Sequence, residues 1–488
     1  MIFNSLTYLL FLVITVCLFW VLPNRLRLWM IFLASLTFYG FWRPEFLLVM
    51  IASAGTDFLV AQRIEANDAL SARRRWLIAS LFVNLGLLFY FKYLFFAVDN
   101  TIAVLRFLGI AELRSPVIDI ILPLGISFYT FQTISYTVDV YRKFIPAERD
   151  FVLYGCFVTF FPQLVAGPIL RGRELLYQLE TRPSFSLDLF VSGLRRILFG
   201  LFLKVVMADN IAPFVDAGFE QQVSALSALD VMTLGFLFGF QIYFDFSAYS
   251  HIAIGSARLM GISFPENFNF PYMASSPREF WRRWHISLSS WIRDYLYLPL
   301  LGVKVQDRSA GGLAAATKDF GRAMRHPQLV LFLTWAIMGL WHGANWTFVI
   351  WGLYHATLIA IYRGIEGPAA KLPPYIRKWG GWAITMPIMM IAWIPFRSKT
   401  VDATFGMLSK LVSPREWLYF GMRENTYLVA AMVLAAMMMA YFFHERAGGW
   451  FGKRQLAGFI AETVLLGVVV ALVFVFLRPI SQFIYFQF

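Results

Sequence analysis

The sequence predicts an all-α polytopic membrane protein, and three observations support this fold class. Hydrophobic residues make up 59% of the 488 residues and charged residues only 15%, and the mean hydropathy is +0.64. Soluble proteins carry about 45–50% apolar and about 25% charged residues, so this chain has more apolar surface than a water-soluble fold can bury. The third observation is a long series of apolar runs. We therefore expect lipid to surround most of the chain.

Each apolar run has about the 17–25 residues that a helix needs to cross the hydrocarbon layer. Short and re-entrant helices are hard to count from hydropathy, so we predict a range of roughly 11–13 transmembrane or re-entrant helices. We predict one membrane domain over residues 1–488, with the motifs discussed below concentrated in 264–363. The runs lie near residues 5–22, 26–42, 44–62, 76–97, 117–138, 150–168, 189–207, 228–247, 328–363 (broken), 380–396, 425–443 and 458–478.

Basic residues predict the orientation of the chain. The first run has no basic segment before it and no small-residue cleavage site after it, so we interpret it as a retained membrane helix. Arg25 and Arg27 follow this run, and Arg63 with residues 73–75 lie in a loop two spans later. Because cytoplasmic loops are enriched in Lys and Arg, the N-terminus is predicted on the outer face. The net charge of +13 is explained in the same way and gives no reason to predict nucleic-acid binding.

The segment SSPREFWRRWHISLSSWIRDYLYLP, residues 275–299, predicts one amphipathic helix. Ser276 as N-cap, Pro277 at the first helical position and Glu279 three residues after the cap are typical of a helix start. A helix of this kind can simply anchor a protein at the membrane surface, but its polar face makes His285 a candidate for a site. The polar residues that recur every three or four positions are Arg278, Arg282, His285, Ser289 and Arg293.

The segment MGLWHGANWTF places His342 between two apolar runs. A helix over residues 329–341 would be about 20 Å long, too short for a hydrocarbon layer of about 30 Å. Gly339 and residues 342–345 interrupt the run, and a second helix is predicted from Trp346. Broken backbone at that depth is tolerated only where protein buries it or a water-filled cavity meets it. An ionisable residue there predicts a functional site; the alternative is a structural histidine bonded to a neighbouring helix.

A histidine in a desolvated cavity tends to stay neutral and can accept a proton from a hydroxyl. As a general base, His342 would contribute about 10²–10⁴-fold in rate. We predict no metal site, since HExxH and CxxC are missing from the sequence. There is also no Gly-rich phosphate loop and no GxSxG elbow. His355 lies 13 residues beyond His342, about 20 Å along a straight helix, and local geometry does not predict it in the same site.

Four stretches carry a family resemblance, and the similarity spans almost the whole chain in order. They are LPLGISFYTFQTISYTVDVYR (122–142), FFPQLVAGPILRGRELLYQL (160–179), FPENFNFPYMASSPREFWRRWHISLSSWIRDYLYLPL (264–300) and GLWHGANWTFVIWGLYHA (339–356). The chain resembles the membrane-bound O-acyltransferases, in the bacterial branch that includes the alginate O-acetylation protein and the D-alanyl transfer protein of teichoic acid synthesis. It departs from the usual family pattern at Ala248, in place of glycine, and at His251, in place of aspartate.

The resemblance implies a ring of helices around a thin central region, with a tunnel between the cytoplasm and the outer face. It implies that His342 is the catalytic histidine and that His285 is the second histidine of the pair. It also implies acetyl-CoA as the donor substrate, with no permanently bound cofactor. A periplasmic acetyltransferase of the SGNH type is the implied partner for delivery to alginate or another polysaccharide, and the bacterial inner membrane is the implied location.

Other residues are candidates for substrate binding. Asn345 or the broken backbone could stabilise an oxyanion, and Asn267 and Trp341 lie within the quoted motifs. Two alternatives stay open: transfer of an acyl or D-alanyl group from a carrier protein, and a transporter or export subunit that binds its cargo at the broken helix. Basic residues suited to the donor's phosphates are Arg282, Arg283, Lys304 and Arg308.

Overall fold

The described part of the chain is built from helices, which confirms the predicted all-α polytopic class. A computed structural model describes residues 1–110, 120–181, 183–303, 326–413, 417, 419–450, 455–478, 483 and 484.

The helices of the first half are α1 Leu6–Val21, α2 Asn24–Gly40, α3 Phe46–Glu65, α4 Leu70–Leu88, α5 Leu94–Phe107, α6 Ile126–Tyr141, α7 Phe151–Thr159, α8 Gly172–Thr181, α9 Leu187–Leu201, α10 Asp209–Phe219 and α11 Ala228–Leu259. Those of the second half are α12 Pro277–Arg283, α13 Ile286–Trp291, α14 Leu298–Leu300, α15 Pro327–His342, α16 Trp346–Ala370, α17 Pro374–Ile391, α18 Trp393–Arg397, α19 Val401–Val412, α20 Glu424–Trp450 and α21 Gln455–Val475. Within the described residues, three π-helical turns interrupt or extend these helices, at Phe89–Tyr93, Phe202–Ala208 and Ile292–Tyr297. The same part of the chain has two short 3₁₀ helices, at Val223–Ala225 and Pro271–Met273.

Six helical segments within the described ranges are long and apolar enough to cross a membrane. Three further apolar helices are shorter, with 10–17 residues each, so several of the predicted spans are helices too short to cross alone. The six segments are Phe46–Glu65, Leu70–Phe107, Ala228–Leu259, Trp346–Ala370, Pro374–Arg397 and Glu424–Phe443. The three shorter helices are Leu6–Val21, Pro327–His342 and Thr463–Val475.

The run predicted as a span at 150–168 shows why hydropathy overcounts. Helix α7 ends at Thr159, and residues 160–171 follow as irregular backbone that is buried throughout. Irregular backbone survives at membrane depth where other parts of the protein cover it. This buried segment reaches the site, because Val165 lines the cavity described below.

Helix α11 is the centre of the fold. Its 32 residues include an apolar window that is 83% buried, far more than the other long helices. It also carries a buried charge: Asp245 accepts a 2.7 Å hydrogen bond from the Lys204 ammonium. Asp245 also accepts a 2.8 Å bond from the backbone N–H of Ile484. Buried charges inside a membrane protein are tolerated when they are paired in this way.

Residues 275–299 do not form the single amphipathic helix that the spacing predicts. Helix α12 ends at Arg283, Trp284 is extended, and His285 has a φ of 40°, before α13 begins at Ile286. The predicted polar stripe is therefore broken in its middle. The predicted start is right, because the Ser276 hydroxyl accepts a 3.1 Å bond from the N–H of Glu279. The Glu279 carboxylate reaches the N–H of Ser275 rather than that of the cap residue.

The predicted break after His342 is confirmed. Helix α15 ends at His342, and α16 starts at Trp346 after the N-cap Asn345, whose side chain accepts a 3.0 Å bond from the N–H of Thr347. With 16 residues, α15 is about 24 Å long and stops short of the hydrocarbon thickness.

Gly339 does not interrupt α15, as the sequence had suggested, but lies inside it at the crossing with α16. A Cβ on Gly339 would collide with the carbonyl oxygen of Phe348, and one on Gly352 would collide with that of Trp335. Small residues at helix crossings let two backbones approach closely in a membrane. The two glycines thus allow α15 and α16 to pack backbone against backbone beside His342.

We expect Gly352→Ala to lower the free energy of unfolding by about 1–3 kcal/mol, since the added methyl meets a backbone carbonyl that cannot move aside. The matched control is Gly364→Ala on the same helix, where a Cβ meets nothing within 4 Å. Thermal unfolding of the purified protein in detergent measures both. Equal midpoints for the two variants would contradict the close crossing.

Candidate active site

His342 is buried at the end of α15, with 5% of its surface exposed. Three aromatic rings stand edge-on or steeply tilted to its imidazole: Trp341 and Trp351 at 4.9 Å between centroids, and Phe396 at 5.3 Å. Rings on several sides hold the imidazole in one orientation. A buried histidine fixed in this way in a membrane protein fits the sequence-based hypothesis of a functional site.

His342 lines a cavity of about 230 Å³. Most of the wall is apolar or backbone, and the ionisable side chains that line it are Lys92 and His342. Apolar pockets with a few polar groups are typical binding or active sites. The lining residues are Met1, Ile2, Trp42, Lys92, residues 122–128, Val165, Trp341 and His342.

His285 is fully buried, and Asn267 determines which of its ring nitrogens carries the hydrogen. The Asn267 atom beside the ring is an oxygen, because the backbone N–H of Ser287 also donates to it at 3.2 Å. The His285 Nδ1 atom, 3.1 Å from that oxygen, must therefore donate a hydrogen. A histidine that donates from Nδ1 presents Nε2 as its acceptor nitrogen when neutral.

The structure brings the two histidines together. His285 stacks on Phe128, with ring centroids 6.4 Å apart, and Phe128 also contacts Trp341 at 5.7 Å. Trp341 in turn contacts the His342 ring at 4.9 Å, so two aromatic rings connect the histidines. Phe128 and His342 line the cavity, and His285 lies against Phe128. The catalytic roles of both histidines stay predictions.

Lys92 is a residue of the site that the sequence analysis missed. Its ammonium donates to the carbonyl oxygens of Trp341 at 2.6 Å and of His342 at 3.2 Å. The neighbouring Tyr93 hydroxyl donates to the carbonyl of Leu340 at 3.2 Å. The available signal was a lone lysine inside the apolar run 76–97, since ionisable residues within spans indicate function.

Comparison with known proteins identifies the family. A probable alginate O-acetylase AlgI of Azotobacter vinelandii is 38% identical over 443 residues, which is 90% of this chain and 83% of that protein. The chain belongs to the membrane-bound O-acyltransferase family. The family model itself matches residues 147–316, a segment that includes His285 and ends before His342.

Two other relatives carry different names. A peptidoglycan O-acetyltransferase of Helicobacter pylori is 32% identical over 506 residues, 95% of this chain and 91% of that protein. A teichoic acid D-alanyltransferase of Bacillus subtilis is 30% identical over 270 residues, 53% of this chain and 64% of that protein. These findings confirm the predicted family, and with it an acyltransferase in a multi-pass membrane protein. The alternative of a transporter without enzymatic activity is set aside.

His355 lies closer to the acyltransferase site than its distance along the helix suggests. The ring of Trp351 stands between the two histidines, with centroids 4.8 Å from His355 and 4.9 Å from His342. The estimate along a straight helix was wrong because α15 and α16 fold back on each other. His355 is fully enclosed by aromatic side chains, including Trp281 at 4.9 Å and Trp335 at 5.5 Å.

Among the residues predicted to bind substrate, Arg283 and Asn345 are engaged by other groups of the protein. Arg283 forms an ion pair with Glu279 at 2.7 Å, whereas Arg282 is exposed. Asn345 caps α16 through its oxygen and donates through its amide nitrogen to the carbonyl of Lys399 at 3.2 Å. Its donor therefore points at backbone rather than into the cavity.

Trp341 lines the cavity and stacks on Phe131, with centroids 5.1 Å apart. Lys304 and Arg308 lie outside the described residues. His251, one of the departures from the family pattern, lies with its Nδ1 3.0 Å from the Arg196 guanidinium.

We expect Asn267→Ala to lower acyltransferase turnover by about 10²-fold, because His285 loses the acceptor that sets its hydrogen on Nδ1. The matched control is Ser250→Ala, since the Ser250 hydroxyl accepts a 3.1 Å bond from the Asn267 amide but does not bond the histidine. Steady-state turnover by both variants, normalised to the folded fraction, measures the effect. Similar losses in the two variants would argue against control of His285 by Asn267.

Proposed function

We propose that this chain is an inner-membrane O-acyltransferase. It takes an acetyl group from a cytoplasmic thioester and passes it across the membrane for O-acetylation of an exopolysaccharide or cell-wall glycan, with His342 as the general base. The observation that carries the proposal is the position of His342: a buried imidazole at the end of a short apolar helix, lining a cavity of about 230 Å³. The names of the relatives, alginate O-acetylase and peptidoglycan O-acetyltransferase, support the acceptor class.

The proposed reaction is a direct acyl transfer. His342 removes the proton from an acceptor hydroxyl, and the oxygen attacks the thioester carbonyl carbon. The C–S bond then breaks, the acetyl group stays on the acceptor oxygen as an ester, and the thiolate takes up the proton and leaves as a thiol. His285 assists His342 in this step. Asn267 keeps its Nε2 as the acceptor nitrogen, and its ring packs against Phe128, which lines the cavity.

The direction of transfer follows from the charges at the two ends of α3 and α4. Arg63 lies in the last turn of α3, and residues 73–75 lie near the start of α4. The cavity is lined from the opposite ends of these helices, by Trp42 before α3 and by Lys92 beyond α4. Because basic ends face the cytoplasm, the cavity opens toward the outer leaflet. The acceptor enters by this cavity, and the donor reaches the histidines from the other side.

Acetyl-CoA is the proposed donor, and an acyl carrier protein is the alternative. Coverage favours the acetyl reaction, since the O-acetylase relatives match 90% or more of this chain and the D-alanyltransferase 53%. Arg282 is exposed and can attract the donor's phosphates, whereas Arg283 is held by Glu279. The acceptor is either the glycan itself or a hydroxyl on a periplasmic SGNH-type partner that completes delivery.

We expect His342→Ala to lower release of free CoA from acetyl-CoA by about 10²–10⁴-fold, the usual contribution of a general base. The assay uses the purified protein in lipid nanodiscs with a short glycan acceptor and follows the free thiol. The matched control is His326→Ala, an exposed histidine at the opposite end of the same helix. Turnover unchanged by His342→Ala would remove the base assignment.

A parallel measurement in cells tests the acceptor class. O-acetyl content of surface glycans is compared between the parent strain and a strain carrying His342→Ala. We expect the acetyl esters to be lost from one polysaccharide, which thereby identifies the acceptor. Equal acetylation in both strains, together with active purified enzyme, would place the acceptor outside the surface glycans.

A further inference from the structure

We propose that Lys92 is a positioning residue for His342: it holds the end of α15 in place and so fixes the base beside the cavity. The inference rests on the proposed function of His342. It concerns a residue on a different helix, 250 positions away in the sequence.

Lys92 and Tyr93 together bind the carbonyl end of α15, and we call this pair the clamp. The last four carbonyls of an α-helix have no partner within the helix. In α15 three of these four, at Leu340, Trp341 and His342, accept hydrogen bonds from Lys92 and Tyr93. Two consecutive residues of one segment thus satisfy most of the helix end that carries the base.

The backbone of the clamp has an unusual form. Lys92 and Tyr93 belong to the π-helical turn Phe89–Tyr93, which interrupts a helix that otherwise runs from Leu70 to Phe107. Single π-turns inside α-helices are rare and occur frequently at functional sites. The turn allows adjacent residues to reach three successive carbonyls of the same neighbouring helix.

A protonated Lys92 also gains from the charge of the helix end. The carbonyl end of a helix carries partial negative charge, and a cation beside it is favourable. An ammonium at membrane depth is otherwise expensive. Lys92 also lines the cavity with His342, so its position and that of the base are linked through the same backbone carbonyls.

Two other roles compete with positioning. Lys92 could bind an anionic group of the acceptor directly, which would act on KM for the acceptor. It could also contribute only to folding, which would lower the thermal unfolding midpoint without a change in turnover per folded molecule. Loss of a positioning residue lowers kcat, and this effect on kcat is seen only while His342 is present.

The test is a double-mutant cycle on the purified protein in nanodiscs, with release of CoA from acetyl-CoA as readout. We expect Lys92→Met to lower kcat by about 10–100-fold with little change in KM for donor or acceptor, the pattern of an interaction that matters in the transition state. In a His342→Ala background the same substitution should have no further effect, because residues that act through one another are non-additive.

Graded variants change less of the contact with the end of α15 than Lys92→Met does. Lys92→Arg keeps both hydrogen bonding and charge, and we expect kcat within about tenfold of the native enzyme. Tyr93→Phe removes only the bond to Leu340 and should cause a smaller loss than Lys92→Met. The matched control is Tyr90→Phe, an exposed residue of the same π-turn, with native turnover expected.

Three results would overturn the inference: native kcat in Lys92→Met, a loss confined to KM, or a full additional loss of residual activity in the His342→Ala background. If Lys92→Met is not recovered folded, Tyr93→Phe decides. A loss of kcat with unchanged KM in that variant supports positioning, and native kcat leaves Lys92 with a role in folding only and overturns the inference. Failure of the general-base proposal is distinguishable, because His342→Ala alone would then retain native turnover.

Discussion

A helix that ends inside a bilayer must find partners for its last carbonyls within the protein, since lipid offers none. Helix α15 is a short apolar helix of a membrane protein that ends at the buried His342, and the site is organised around that end. Lys92 and Tyr93 bind the carbonyls, Asn345 starts the next helix three residues later, and the glycine crossing keeps the two helices in contact. The same requirement explains why residues 160–171, also irregular, are buried throughout.

The second histidine, His285, is also held in one orientation, but by its backbone conformation and by Asn267. His285 occupies a left-handed backbone conformation, which is uncommon for a residue other than glycine. Strained backbone of this kind persists where the surroundings hold it in place, and it clusters at active sites. Asn267 supplies that support twice, through its side-chain oxygen to the ring and through its backbone carbonyl to the N–H of Ile286 at 2.9 Å. Both histidines are thus oriented by groups distant in sequence.

Local patterns predicted part of this arrangement. The Ser276 cap and the break after His342 follow from short-range chemistry, and hydropathy alone established the membrane class. The kink at His285 could not be predicted from polar spacing, because the hydrogen bonds that stabilise it come from Asn267, 18 residues earlier. The contacts of Lys92 and His355 depend on how helices cross, and a single sequence does not encode a crossing in any short motif. The ring contacts that connect the two histidines through Phe128 and Trp341 became visible only in three dimensions.

The crossing of α15 and α16 also bears on how the cavity can change size. The backbones of Gly339 and Gly352 lie against carbonyls of the opposite helix, so no side chain separates α15 from α16 there. Another part of the cavity wall is of a different kind, because residues 122–125 belong to a non-helical segment that leads into α6. Non-helical segments deform more readily than packed helices, so we expect the cavity to adjust its size along residues 122–125 rather than at the helix crossing.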